Sequence, residues 1–374
     1  MQVKCVDCAA ATEASVGYCG RCGGIRMIQD SFKQPGYADR GIPPSPLIPS
    51  RVPGLDQVLL KYEGGHITGS FKDRIMRITL KEALERGAKG AVVPSSGNAA
   101  VAAAAACAAV GMPLLAIVPS ATPEERIVPI LARGGAVIRA GAEPSESYRC
   151  ADQLVEQLGL FPLYSTFASP WAEWACRGIG LEICEQLGCA PATLIAPISA
   201  GPVLVGTSLG VAESAAMTPK LVAVQAQGCC PIVEAFEAGR GEVRPWSGEV
   251  RTVAAAIADR LQGYPHDGTL TLKMLRDSGG LAAAVTDEEL LQAREALLRS
   301  DGLDIELSAA AGVALLMRGE HHLPTPIVCL LTASGFKHTY SGDNTPLVPS
   351  EPAHALAEAS RHVLTIPAES NSIA

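Results

Sequence analysis

An excess of positive charge is the first thing this sequence lacks. Lys and Arg number 30 against 38 Asp and Glu, a formal net charge of −8. That balance argues against a general binder of nucleic acid or anionic membrane, though it leaves room for a buried anion site. Charged residues make up only 18% and apolar residues 48%, the composition of a compact globular chain rather than a disordered one. Met1-Gln2-Val3-Lys4-Cys5 lacks the apolar core of a signal peptide. The 12 cysteines look like reduced thiols, with Cys107, Cys184 and Cys329 among apolar neighbours. A cytoplasmic protein is expected. The seven histidines show no His-x-x-x-His spacing, and no Gly-x-Ser-x-Gly elbow occurs, so the histidines receive no catalytic role.

Charge is also missing from one long stretch, between Lys89 and Glu124, and its length alone suggests a membrane helix. Pro94, the Ser95-Ser96-Gly97-Asn98 cluster, Gly111 and Pro113 interrupt it. The better reading is a strand over Ala91–Val93, a polar loop, an Ala-rich helix over Ala99–Val110 and a strand over Leu114–Val118. Both strands then lie buried on both faces.

What is present is an alternation of apolar runs and helical segments. Val58–Tyr62, Ala136–Ile138, Leu194–Ile198, Lys220–Gln225 and Ile327–Leu331 read as further strands. Lys72–Arg86, Trp171–Gly188, Val203–Ala216, Glu288–Arg299 and Ala309–Arg318 read as helices. Trp171 and Trp174 read as core packing. The pattern predicts a doubly wound α/β fold with parallel sheets, and 374 residues suggest two domains with a small appendage. Residues 30–50 read as a linker or wrap and 345–374 as an irregular tail. No internal repeat is evident.

At the N-terminus, Cys5-x2-Cys8 and Cys19-x2-Cys22 stand ten residues apart. Two thiolate pairs at this spacing can set four sulfurs tetrahedrally around a structural Zn²⁺; iron or a redox dithiol is the alternative. Gly20, Gly23 and Gly24 suit the tight turns of such knuckles.

Lys72 follows a Gly-containing turn, Thr68-Gly69-Ser70-Phe71, and opens a helix. Backbone N–H groups and the positive helix end are expected to depress its pKa and leave more neutral amine. A solvated lysine paired with Asp73 is the plainer reading of that local motif. Ser199-Ala200-Gly201-Pro202-Val203 joins a strand to a helix, as a phosphate-binding turn would. An ordinary structural turn has the same shape.

Together these motifs resemble the threonine synthase-like, fold-type II enzymes that use pyridoxal phosphate (PLP). Glu63 with Thr68-Gly69-Ser70-Phe71-Lys72-Asp73-Arg74 is similar to the family's Schiff-base segment, and Ser95-Ser96-Gly97-Asn98 to its Ser-Gly-Asn loop. Val224–Val233, Ala254–Arg260 and Leu331–Lys337 follow in order, so the likeness spans about residues 45 to 340. It implies Lys72 as the Schiff-base lysine, Asn98 beside the cofactor's 3-hydroxyl, and Ser95, Ser96 and Asn98 on the substrate carboxylate. It also implies Ser199, Ala200, Gly201 and Val203 around the phosphate, and Thr332 (with Ser334 as runner-up) at the pyridine nitrogen. Zinc ribbons precede some such enzymes, which implies structural zinc on Cys5, Cys8, Cys19 and Cys22.

The domain expectation is 1–28 for the zinc module, 29–86 with 170–345 for a large cofactor domain, 87–169 for a small inserted domain, and 346–374 for the tail. A homodimer acting on a small amino acid, without nucleic acid or membrane partners, is expected. The implied reaction is elimination and water addition on O-phosphohomoserine or a related O-activated amino acid. Several positions depart from the family. His66-Ile67 replaces Asn-Pro, His338 replaces an acidic residue, Ser199 replaces a glycine, and Ala200 and Val203 replace asparagines. These departures raise β-elimination or β-replacement on serine, threonine or O-activated serine as the alternative. A non-catalytic binding protein on the same fold is the second alternative.

Overall fold

The structure is a computed structural model that describes residues 1–32, 42–141 and 144–336. Part of the 30–50 segment, Lys337, His338 and the 345–374 tail lie outside the described residues. The chain begins with β1 (Gln2–Cys5), β2 (Ala11–Glu13) and β3 (Arg26–Ile28), an antiparallel sheet ordered β2-β1-β3.

Next come β4 (Leu47–Pro49), β5 (Val58–Tyr62) and α1 (Lys72–Glu85). The charge-free stretch opens a second sheet through β6 (Ala91–Pro94), α2 (Asn98–Val110) and β7 (Leu114–Val118). It continues with α3 (Glu124–Leu131), β8 (Ala136–Arg139), α4 (Pro144–Leu158) and β9 (Phe161–Pro162). These strands form an all-parallel sheet ordered β8-β7-β6-β9.

The chain then runs through α5 (Pro170–Leu187), β10 (Thr193–Pro197), α6 (Pro202–Ala215) and β11 (Lys220–Ala226). It closes with α7 (Pro231–Glu237), α8 (Pro265–Asp277), β12 (Leu281–Val285), α9 (Asp287–Asp301), α10 (Ala311–Met317) and β13 (Ile327–Leu331). The large sheet is ordered β12-β11-β10-β13-β5-β4. Only its edge strand β4 is antiparallel, so a segment read as linker is in part a strand.

Strand periodicity divides the core. On β10, Leu194 and Ala196 face the layer of α1, α2, α5, α6 and α8, while Ile195 faces α9 and α10. On β13, Val328 and Leu330 take the first side, and Ile327, Cys329 and Leu331 the second. Each such aliphatic side chain contributes roughly 1.5–3 kcal/mol when fully buried. Trp171 and Trp174 are buried core residues, as expected.

Helices α5 and α6 touch backbone to backbone. A Cβ at Gly206 would collide with the Glu173 carbonyl, and one at Gly210 with that of Arg177. That contact fixes where α6 begins, and the turn before α6 is Ser199–Gly201. Among the described residues, no helix is long and apolar enough to cross a membrane.

Candidate active site

The turn before Lys72 is tied to the chain beyond β13. Phe71 N–H donates to the Thr332 carbonyl at 3.1 Å, Ser334 N–H to the Gly69 carbonyl at 2.8 Å, and Ser70 bridges Ala333. Gly69 has φ +78°, a conformation in which a side chain is strained. Asp73 does not pair with Lys72. Its carboxylate accepts from Thr68 N–H at 2.8 Å and Thr68 Oγ1 at 3.0 Å, which caps the turn.

Lys72 is half-buried and has no hydrogen bond or ion pair among the described residues; its Nζ lies 4.6 Å from the Phe71 ring centre. Burial pushes its amine down to about 8, while Cys176 and Asp259 push it back up. The depression expected from the sequence is present, but desolvation causes it rather than the helix end.

Two residues on, Arg74 is fully buried. It makes a paired contact with Glu63 (2.7 and 2.9 Å) and another with Glu182 (2.6 and 2.8 Å). Lys61 joins Glu182 at 2.7 Å and His66 joins Glu63 at 3.0 Å. Burial pushes the Glu63 carboxyl up, but Arg74 and His66 overcome it and hold it far below the carboxylate range. His66, a departure from the family pattern, therefore serves this network. Ile67 beside it is exposed.

The Ser95–Asn98 loop leaves β6 and opens α2, with Ser95 Oγ accepting from Gly97 N–H at 3.2 Å. Asn98 donates its side-chain amide to Glu306 at 2.8 Å. Glu306 N–H bonds the Ala333 carbonyl at 3.1 Å, and Ile305 bridges Ser334. The segment 332–334 is thus the hub joining the Lys72 turn to Asn98. Sequence reading missed Glu306, and no local pattern marks it.

Gly201, at φ +109°, caps α6. The carbonyls before it are engaged, with Thr271 Oγ1 donating to Ala200 at 2.6 Å and Gln225 Nε2 to Ser199 at 3.3 Å. Among the described residues, the N–H groups of Ser199, Ala200, Gly201 and Val203 donate to no protein acceptor. Free N–H groups at a helix start are what a phosphate requires, while Pro202 supplies none. The hydroxyl of Thr332 makes no hydrogen bond to the described residues, whereas Ser334 Oγ accepts from Phe336 N–H at 3.2 Å. The chemistry of this donor set, an amine, backbone N–H groups at a helix start and a hydroxyl, suits a group that carries an aldehyde, a phosphate and a ring nitrogen, as PLP does.

Asp259 lies in the family-like Ala254–Arg260 segment, where the sequence alone assigns it no role. Its carboxylate accepts from Leu261 N–H at 2.8 Å and Tyr264 Oη at 3.0 Å. Leu261 is held at φ +55°, a strained value for a γ-branched residue. Burial pushes the Asp259 carboxyl up and Lys72 pulls it down. Tyr148, on α4, packs on Tyr264 and Tyr164 with ring centres 5.8 and 5.2 Å apart.

Away from Lys72, the sulfurs of Cys5, Cys8, Cys19 and Cys22 lie within 4.8 Å of one another. Cys5–Cys22 is 3.5 Å and Cys8–Cys19 is 3.7 Å, near the edge of a tetrahedron with Zn–S of about 2.3 Å. The N–H groups of Arg21 and Cys22 lower Cys19 to about 6, which favours its thiolate. The four cysteines can bind a structural zinc.

Comparison with known proteins agrees. The family described as "Pyridoxal-phosphate dependent enzyme" matches residues 38–333. Threonine synthase of Methanosarcina acetivorans is 32% identical over 293 residues, 75% of this chain and 70% of that one. The serine dehydratase-like protein of Mus musculus is 26% identical over 72% of this chain and 79% of its own. Among solved structures, maize serine racemase superposes with a TM-score of 0.69 at 20% identity, covering 86% of this chain and 93% of that one. A fungal L-serine ammonia-lyase from Rhizomucor miehei gives 0.67 at 21% identity, covering 78% and 94%. The unpartnered lysine, the free N–H groups before α6 and these likenesses agree, and the chain belongs to the pyridoxal-phosphate dependent enzymes, as a threonine synthase-like member of the lyase class.

Proposed function

We propose that Lys72 is the covalent anchor of PLP and the group that moves protons at the substrate's α and β carbons. One observation carries this. Lys72 is a half-buried amine without a partner, lowered to about 8, on a turn fastened to the 332–334 hub that also holds Asn98 through Glu306. A pKa near the working pH lets one residue accept a proton as the amine and return it as the ammonium.

The remaining roles follow the donor inventory. Ser199, Ala200, Gly201 and Val203 hold the phosphate and Asn98 the 3-hydroxyl. Thr332 meets the ring nitrogen, and Ser95, Ser96 and Asn98 hold the substrate carboxylate at the start of α2. Bound PLP supplies an electron sink for the pair left when the α proton departs. A neutral hydroxyl at Thr332 does not keep the ring nitrogen protonated, so Lys72 and its neighbours share in steadying that charge. The same reading divides the chain into 1–28, 29–86 with 170–345, 87–169 and 346–374.

For the substrate, the sequence relatives support elimination and water addition of the threonine synthase type, on O-phosphohomoserine or a related O-activated amino acid. The departures from the family pattern at Ser199, Ala200 and Val203 support a second reading, β-elimination or β-replacement on serine, threonine or O-activated serine. Incubation of the PLP-loaded protein with each candidate separates them. Phosphate release from O-phosphohomoserine supports the first reading; ammonia and keto acid from serine or threonine support the second. Lys72→Ala tests both, and a variant that keeps the native PLP absorbance and full turnover ends the assignment.

A further inference from the structure

We infer that Thr271 is a positioning residue for the phosphate loop, and that the cysteine module sets its position through Tyr18 and Asp267. This rests on the reading that Ser199–Val203 hold the cofactor phosphate.

Tyr18 immediately precedes Cys19 and donates its hydroxyl to Asp267 Oδ1 at 3.1 Å. Asp267 is fully buried in the first turn of α8 and also accepts from Phe167 N–H at 3.1 Å. One turn on, Thr271 is fully buried too. It donates to the Ala200 carbonyl at 2.6 Å and lies so close to Gly201 that a Cβ there would collide with its side chain. Helix α8 is thus fastened to the cysteine module at its start and to the phosphate loop one turn later. The module's apolar residues bear on both helices concerned. Ile25 and Phe167 pack with Val205 of α6 and Leu270 of α8, flanked by Tyr18, Met27, Leu209 and Met274.

The Thr271 hydrogen bond fixes the Ala200 carbonyl and so holds the adjoining peptide N–H groups in one orientation, open to an anion. Loss of that bond lets the peptide rotate, and a phosphate bound by backbone N–H groups is sensitive to such rotation. A metal that joins the four sulfurs fixes Cys19 and with it Tyr18. Without it, the Gly17–Cys22 segment loses its cross-links and the Tyr18–Asp267 bond loosens. Metal and cofactor are then coupled sites, each tightening the other by the same factor.

The test compares the affinities of PLP and of pyridoxal, which lacks the phosphate, for cofactor-free protein by absorbance or fluorescence titration. Zinc content is measured on every sample. Thr271→Val is expected to weaken PLP about tenfold with pyridoxal and zinc content unchanged, and Thr271→Ser to bind within about twofold of wild type. Tyr18→Phe and metal stripping with a mercurial and a chelator are each expected to weaken PLP about threefold to tenfold, and stripping Tyr18→Phe to add less than about twofold. Unchanged PLP affinity in Thr271→Val, or in metal-stripped wild type, overturns the inference. Equal loss of PLP and pyridoxal affinity also overturns it, because a merely structural defect behaves that way. A wild-type protein that binds pyridoxal as tightly as PLP instead removes the phosphate-loop assignment beneath it.

Discussion

Lys72 and Arg74 stand two residues apart at the start of α1 and live in opposite circumstances. An α-helix turns about 100° per residue, so the two side chains leave on nearly opposite faces. Arg74 enters a buried network, bonded to Glu63, Glu182 and Ser45, with Lys61 on Glu182 and His66 on Glu63. Lys72 emerges where the described residues offer no partner, only burial and the distant pull of Asp259 and Cys176. Arg74 holds the helix in place through the matched charges beneath it. Lys72 is kept reactive by being left unmatched.

Breaking each side separately should give opposite results. Lys72→Ala is expected to lower turnover at least about 10³-fold, with the thermal midpoint of the cofactor-free protein little changed. Arg74→Met should do the reverse, costing about 3–5 kcal/mol of stability because the buried Glu63 and Glu182 lose their paired guanidinium contacts and keep only His66 and Lys61 as ion-pair partners; a denaturant titration reads it. If Lys72→Ala unfolds the protein, or Arg74→Met leaves its stability intact, the contrast fails.

A pH measurement sharpens it. Neutral amine is the attacking form, so the rate at which cofactor-free protein captures PLP should rise with pH and level off above about 8. Asp259 favours the charged amine, so Asp259→Asn should move that rise to lower pH. A rise that stays in place would remove Asp259 from the site. The smallest expected effect is at the end of β13. Thr332→Ala should weaken PLP about fivefold, the worth of one hydrogen bond of roughly 1 kcal/mol. Ser334→Ala, whose hydroxyl is already engaged by Phe336, should leave PLP affinity unchanged.

Features encoded by neighbouring residues were legible in the sequence. The strands Val58–Tyr62, Leu114–Val118 and Ile327–Leu331 stand at the expected bounds, because short apolar, β-branched runs announce buried parallel strands. The cysteine cluster was legible for the same reason, its spacing being local. Strand β12 was not, since Leu281-Ala282-Ala283-Ala284-Val285 reads equally well as helix until β11 pairs with it. Helix α8 was hidden by Gly268, which is tolerated because a Cβ would meet Leu261. At the site, Lys72 announced itself through a contiguous motif. Glu306 did not, because its partner Asn98 lies 208 positions earlier. Thr271 is 71 positions from Ala200 and Asp267 is 249 from Tyr18, so only folding brings them together.

The glycine contact between α5 and α6 bears on how the enzyme works in time. With Gly206 and Gly210 pressed against the α5 backbone, α6 has no room to slide or roll, and the turn at its start is a stationary reference in the molecule. The Ser95–Asn98 loop follows a strand of a different sheet and meets the hub through side chains, among them the Asn98–Glu306 bond described above. A shift of that loop strains side-chain hydrogen bonds, whereas a shift of α6 meets backbone against backbone.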